Sequence, residues 1–162
     1  MMTVNGRVEA DAFNTYPSVG TSCRVHCGSG GSVLLECRDF VMGAGAKVSA
    51  EGGNMKSVDA TFVNGGVGGG GRIAVYTGEP YIEGETSARR VVVTSEKPAE
   101  YLGTFSAAGG LWKDTNNAYR KYDETSGWQT TTDPDEATVR GGDGTVRFCY
   151  VREKTGWMLI VK

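Results

Sequence analysis

Proline, histidine and helix-forming periodicity are all scarce in this chain. Its 162 residues include four prolines and one histidine beside twenty-five glycines. Glycine at about twice its usual share of roughly 7%, with so little proline, excludes a collagen and a Pro/Gly-rich disordered linker. One histidine leaves no His-Glu-x-x-His site, and neither Gly-x-Ser-x-Gly nor a Walker sequence occurs. No run approaches the ~20 apolar residues of a membrane-spanning helix. Basic runs are missing too: Arg89-Arg90 is no more than a pair, and a net charge of −2 offers no footprint for nucleic acid. Helical signal is limited to Pro98-Ala99-Glu100-Tyr101-Leu102, too short for more than a turn. Met1 to Arg7 lacks the basic and apolar regions of a secretory signal. That leaves an intracellular protein or a piece of something larger. A repeat that begins almost at residue 1 without a polar cap favours the larger precursor.

What the chain does contain is one theme stated three times. Arg7-Val8-Glu9-Ala10-Asp11 returns forty positions on as Lys47-Val48-Ser49-Ala50-Glu51. At the same offset Gly30-Gly31-Ser32-Val33-Leu34-Leu35 returns as Gly70-Gly71-Arg72-Ile73-Ala74-Val75. A looser third copy runs from Thr104-Phe105-Ser106-Ala107-Ala108-Gly109-Gly110 to Gly142-Asp143-Gly144-Thr145-Val146-Arg147-Phe148. A period near 40 belongs to solenoids, propellers and arrays.

Each copy holds two segments with strand character, separated by glycines. In the second segment Val33, Leu35 and Cys37 share a face, as do Ile73 and Val75, then Val146, Phe148 and Tyr150. This alternation predicts strands with one apolar face, in a phase that lets equivalent positions stack. Val91 to Thr94 and Trp157 to Val161 read as further buried strands. The glycine runs, such as Gly68 to Gly71, open onto a strand instead of a helix. They therefore read as corner-turning devices that permit positive φ or close backbone approach, not as phosphate loops.

Around Gly68-Gly69-Gly70-Gly71-Arg72-Ile73-Ala74-Val75-Tyr76 the chain resembles glycine-rich repeat segments of large, predicted secreted β-solenoid proteins of bacteria. The companion segments are Gly28-Ser29-Gly30-Gly31-Ser32-Val33 and Val48-Ser49-Ala50-Glu51-Gly52-Gly53. The resemblance covers residues 4–77 well and 101–151 weakly. It implies an extracellular or cell-surface, adhesin-like role within a longer precursor, and carries over no catalytic residues.

Cys23-Arg24-Val25-His26-Cys27 invites a metal or a disulfide. On an extended strand Cys23 and Cys27 lie about 13 Å apart, beyond the ~7 Å reach of a bridge, and His26 points away from both. Inward thiols are the expectation, with pairing of one of them to Cys37 left open, and no metal or cofactor is assigned. Asp133-Pro134-Asp135-Glu136, with Asp114, Asp123 and Glu124, meets the carboxylate test for a glycosidase or lyase only weakly, since a polar loop is a poor place to raise a carboxyl pKa. No catalytic residue is assigned.

The third copy is stretched, and its excess lies in residues 111–137, expected to emerge as a loop on one face. Trp112, Tyr119, Tyr122 and Trp128 offer flat amphipathic rings there, and Asn116, Asn117, Gln129 and Lys113 offer polar partners. Trp112, Asn116, Tyr119, Tyr122 and Trp128 are thus the candidate ligand-binding residues, for a glycan or a protein partner. Covering the open side of the fold is the competing role for these rings.

The expectation is a single all-β domain over residues 1–162, a right-handed parallel β-helix or related β-solenoid with roughly 20 residues per turn. An antiparallel β-sandwich is the alternative. The expected function is non-catalytic: a structural or adhesive segment of a bacterial surface or secreted protein. The alternative is a carbohydrate-binding module using the aromatic loop 112–128, with a polysaccharide lyase or hydrolase third. Neither nucleic acid nor a membrane span is expected, and the oligomeric state stays open.

Overall fold

The computed structural model describes residues 1–14, 26–56, 66–79, 90–114, 116 and 118–153. The first repeat supplies β1 (Met2–Val4), β2 (Arg7–Glu9) and β3 (Ser32–Glu36). From the second come β4 (Phe40–Met42), β5 (Lys47–Ser49), β6 (Met55–Lys56) and β7 (Arg72–Gly78). The third contributes β8 (Arg90–Ser95), β9 (Thr104–Ser106), β10 (Trp112–Lys113), β11 (Tyr119–Asp123), β12 (Gly127–Thr131) and β13 (Thr145–Glu153). The protein is all-β, relieved among the described residues by one 3-10 turn at Pro134–Glu136.

Every strand pairing between repeats is parallel. Arg7 faces Lys47, which faces Thr104, and Ser32 faces Arg72, which faces Thr145. Likewise β1 pairs with β4, whose Met42 bridges to Tyr101, and β6 pairs with β10. The phase read from the sequence is the pairing register. Its length is corrected, however: β2 and β3 do not stack on each other, so the unit is the whole ~40-residue repeat and not a 20-residue half. Parallel repeat-to-repeat pairing also departs from the sandwich alternative. The sheets become mixed only in the third repeat, where β8 joins the outer edge of β13 and the β11–β12 hairpin joins β10, all antiparallel. Those additions cover edges that would otherwise expose unpaired backbone groups.

Inside lies a core of Val33, Leu35, Val48, Ala50, Ile73 and Val75, capped by Phe40, Tyr101, Phe105 and Phe148. The rings meet edge-on, with centroids 4.9 Å apart for both Phe40–Tyr101 and Phe105–Phe148, an arrangement suited to their quadrupoles. Two expectations need correcting here. Tyr150 is half-exposed instead of inward, while Cys149 and Val151 are buried on the other face of β13. The segment at Val91–Thr94 is a strand, but Val92 and Val93 stand exposed because β8 ends its sheet. The expected strand at Trp157 to Val161 lies outside the described residues.

Glycines organise what lies between the strands. Residues 10–14, 50–54 and 107–111 run outward from β2, β5 and β9, and residues 26–31, 66–71 and 141–144 run back into β3, β7 and β13. Backbone hydrogen bonds join them within each repeat: Gly31 N–H donates to Ala10 O, Gly71 N–H to Ala50 O and Gly144 N–H to Ala107 O, each at 2.7 Å. Others cross between repeats, from Gly53 N–H to Gly28 O at 3.0 Å and from Gly110 N–H to Gly68 O at 2.7 Å. The backbones approach so closely that a Cβ on Gly68 would collide with Gly28 O, one on Gly70 with Ala107 O, and one on Gly144 with Gly71 O. Corner-turning by positive φ is therefore not the role of these runs. Among the described residues positive φ belongs to Gly78 and Gly127 alone, outside them.

The rule relaxes where no neighbour packs. Phe13 occupies the position matching Gly53 and Gly110, and its ring stands in solvent. Asp143 likewise matches Gly30 and Gly70, whose Cβ positions are blocked by the outgoing segment of the next repeat.

Candidate functional site

The third repeat's outgoing segment, residues 107–111, and returning segment, residues 141–144, are joined by a longer stretch. That stretch is an ordered unit, where the sequence suggested a loop. It comprises β10, the β11–β12 hairpin and the 3-10 turn. Asp123 sets the hairpin turn by accepting from Thr125 N–H at 2.9 Å and Ser126 N–H at 2.8 Å, and Gly127 closes it at φ 71°. A left-handed glycine at the end of a short turn is a common hairpin solution.

On β11 the side chains alternate, and this divides the candidate residues. Arg120 and Tyr122 share one face with Trp128 of the paired strand. Tyr122 and Trp128 meet edge-on at 5.0 Å, each about half exposed, at 50% and 51%. Tyr119 faces the opposite way, under the ammonium of Lys113 at 5.1 Å. Asn116 sits in the exposed turn before β11, where its N–H donates to Asp114 Oδ1, and Asn117 lies outside the described residues. Trp112 is wholly buried, at 0% exposure, so its ring belongs to the interior and not to a surface platform.

Sequence reasoning missed Arg120. Its guanidinium lies over two indoles, 4.9 Å from the centroid of Trp112 and 5.7 Å from that of Trp128. The side chain is 6% exposed, its Nε has no hydrogen-bond partner, and neither does the Nε1–H of Trp112 beneath it. Reading Tyr119 to Asp123 as a strand would have placed Arg120 beside Tyr122. The polar, turn-rich composition of the stretch hid that pattern.

The carboxylates serve the backbone. Asp114 accepts from Asn116 and Ala118 N–H groups, and Asp133 caps the 3-10 turn by accepting from Asp135 N–H. Glu136 is held below its ordinary range by the Thr131 hydroxyl and by Lys121, and Asp123 by the Ser126 and Thr125 N–H groups. A general acid requires the opposite shift. Asp143 is also lowered, first by Gly109 N–H at 2.9 Å and then by Arg140. A carboxyl whose folded pKa is depressed stabilises the fold above its ordinary value and loses that contribution as pH falls through the folded one. Asp143→Asn should therefore lower the melting temperature at pH 7, with the gap closing below about pH 5. Melts of both proteins from pH 7 to pH 3 check this. Parallel curves would show that the carboxylate's charge is not what ties residue 143 to Gly109.

Cys27, Cys37 and Cys149 are unpaired thiols, and burial pushes that of Cys37 up. His26 accepts from Gly66 N–H through Nδ1 at 3.2 Å, while Cys23 falls outside the described residues. Among the described residues no three metal-ligating side chains converge, and no helix is long and apolar enough to cross a membrane. One stacking device went unread in the sequence: Asn54 donates to Asn14 Oδ1, and Leu111 N–H donates to Asn54 Oδ1 at 2.8 Å. Its signal is an asparagine pair at the forty-residue offset.

No family model, no curated protein and no solved structure matches the chain.

Proposed function

We propose that this chain is a short parallel β-solenoid acting as a non-catalytic structural or adhesive unit of a bacterial surface or secreted protein. The observation that carries the reading is the parallel register of all three repeats around closely packed glycine segments. Such stacking satisfies backbone groups without long, flexible connections through the interior, which suits a rigid spacer. The likeness of Gly68 to Tyr76 to repeats of secreted bacterial solenoids supports the location. An epitope-tagged chain expressed in a bacterium that encodes it should lose its tag when intact cells are treated with protease. Digestion only after lysis would overturn the surface assignment.

A second reading, carbohydrate binding, is favoured by Tyr122 and Trp128, two adjoining half-exposed rings on an ordered hairpin of the last repeat. Rings presented this way stack on the apolar faces of sugars while their polar edges hydrogen-bond. On a glycan array the protein should label a restricted set of spots. Trp128→Ala should weaken binding about tenfold, in line with truncation of an aromatic anchor. Labelling unchanged by Trp128→Ala and Tyr122→Ala would remove the hairpin from the reading.

A further inference from the structure

We infer that Arg120 makes the hairpin a site for acidic sugars: the guanidinium takes an oxyanion carried by a glycan whose ring rests on Trp128. The inference rests on the carbohydrate-binding reading and specifies its ligand class. An arginine only 6% exposed ordinarily has a carboxylate or several carbonyl oxygens around its head group, because an uncompensated buried charge is costly. Here the Nε of Arg120 is buried without a hydrogen-bond partner, and among the described residues no carboxylate pairs with the side chain. Two acids of the same repeat are committed elsewhere, Glu136 to Lys121 and Thr131, Asp143 to Arg140 and Gly109.

Two aromatic rings flank the cation and offset part of its desolvation by cation–π attraction. They accept none of its N–H groups. What the arrangement lacks is an acceptor with paired oxygens, and a carboxylate or a sulfate ester supplies one through two parallel hydrogen bonds. With Trp112 and Trp128 covering two sides, an acceptor must approach along an uncovered edge. The half-exposed Trp128 borders that approach and would sit under the sugar carrying the charge. Uronic and sialic acids provide the oxyanion as a carboxylate, and sulfated sugars provide it as a sulfate. The same guanidinium fits both.

The test uses the intact chain on an array holding glucuronate-, sialate- and sulfate-bearing glycans beside their neutral counterparts. Titration calorimetry on the best spot follows. Labelling should be confined to acidic glycans, and the carboxylate and sulfate arms identify which oxyanion is taken. Arg120→Gln should weaken binding tenfold or more, and Arg120→Lys, which keeps charge but loses the planar fork, should restore only part of it. Should Arg120→Gln fail to fold, the methyl ester of a bound uronate tests the same point with the native protein. The ester should then lose the affinity of the free acid. Equal labelling of neutral and acidic glycans, or an ester bound as well as its acid, overturns the acidic specificity and leaves carbohydrate binding standing. No labelling of any glycan overturns both. A folded Arg120→Gln that binds normally but melts earlier makes Arg120 a structural strut and sinks the inference.

Discussion

Gly70→Ala should destabilise the protein by about 3 kcal/mol or more, the upper end for overpacking an interior that cannot yield. The added methyl would meet the backbone oxygen of Ala107 and the backbone of Gly144. Neither is the tip of a flexible side chain, so the segments themselves would have to separate. Separation would stretch the bonds from Gly70 N–H to Gly142 O at 2.8 Å and from Gly144 N–H to Ala107 O at 2.7 Å. For a chain of this size the melting temperature should fall by about 6–12 °C. Gly142→Ala, two residues away along the neighbouring segment, is the control. No atom beyond its chain neighbours lies within 4 Å of the new Cβ, so the change should be neutral or stabilising by up to about 1 kcal/mol through the unfolded chain. Equal losses in the two variants would mean that these glycines are required for flexibility and not for space.

Trp112→Ala should cost about 3–5 kcal/mol, the range for deleting a buried aromatic side chain. Trp112 is fully buried, and its loss would also remove the ring on which Arg120 rests. Thermal or denaturant unfolding of the purified variant measures this directly. Trp128→Ala is the contrasting case. With its ring half exposed on the hairpin, truncation should change stability by less than about 1 kcal/mol. A ligand assay on Trp112→Ala would confuse unfolding with loss of a contact, so tests of binding belong on Trp128 and Tyr122. Near-wild-type stability of Trp112→Ala would contradict its place in the interior.

The forty-residue echo made much of the fold legible because parallel stacking places like residues over like. Val8 over Val48 and Ile73 over Val33 are consequences of one offset. The glycine runs were visible, yet their purpose was not. A run of glycines looks the same in a sequence whether it turns a corner or admits another backbone, and only the neighbours at Gly68 or Gly70 decide. Within the candidate site, Trp128 and Tyr122 were legible as exposed aromatics. Trp112 was not separable from them by type, since burial depends on the sheet that closes over a ring. Arg120 was passed over because an arginine in a polar stretch ordinarily faces solvent.

By itself the sequence determined the repeat, the β character and the register in which equivalent strands pair, because a two-residue alternation and a fixed offset are local properties that any parallel stack must keep. Tertiary structure alone decided three things. The stacking unit is the whole repeat, since out-and-back segments pack on each other through glycine instead of through β ladders. The excess of the third repeat is an ordered hairpin, since the outer edge of β10 was free to take an antiparallel partner. And the Arg120 guanidinium lies over two indoles in the last repeat, since residues 112, 120 and 128 meet only when three strands are laid side by side.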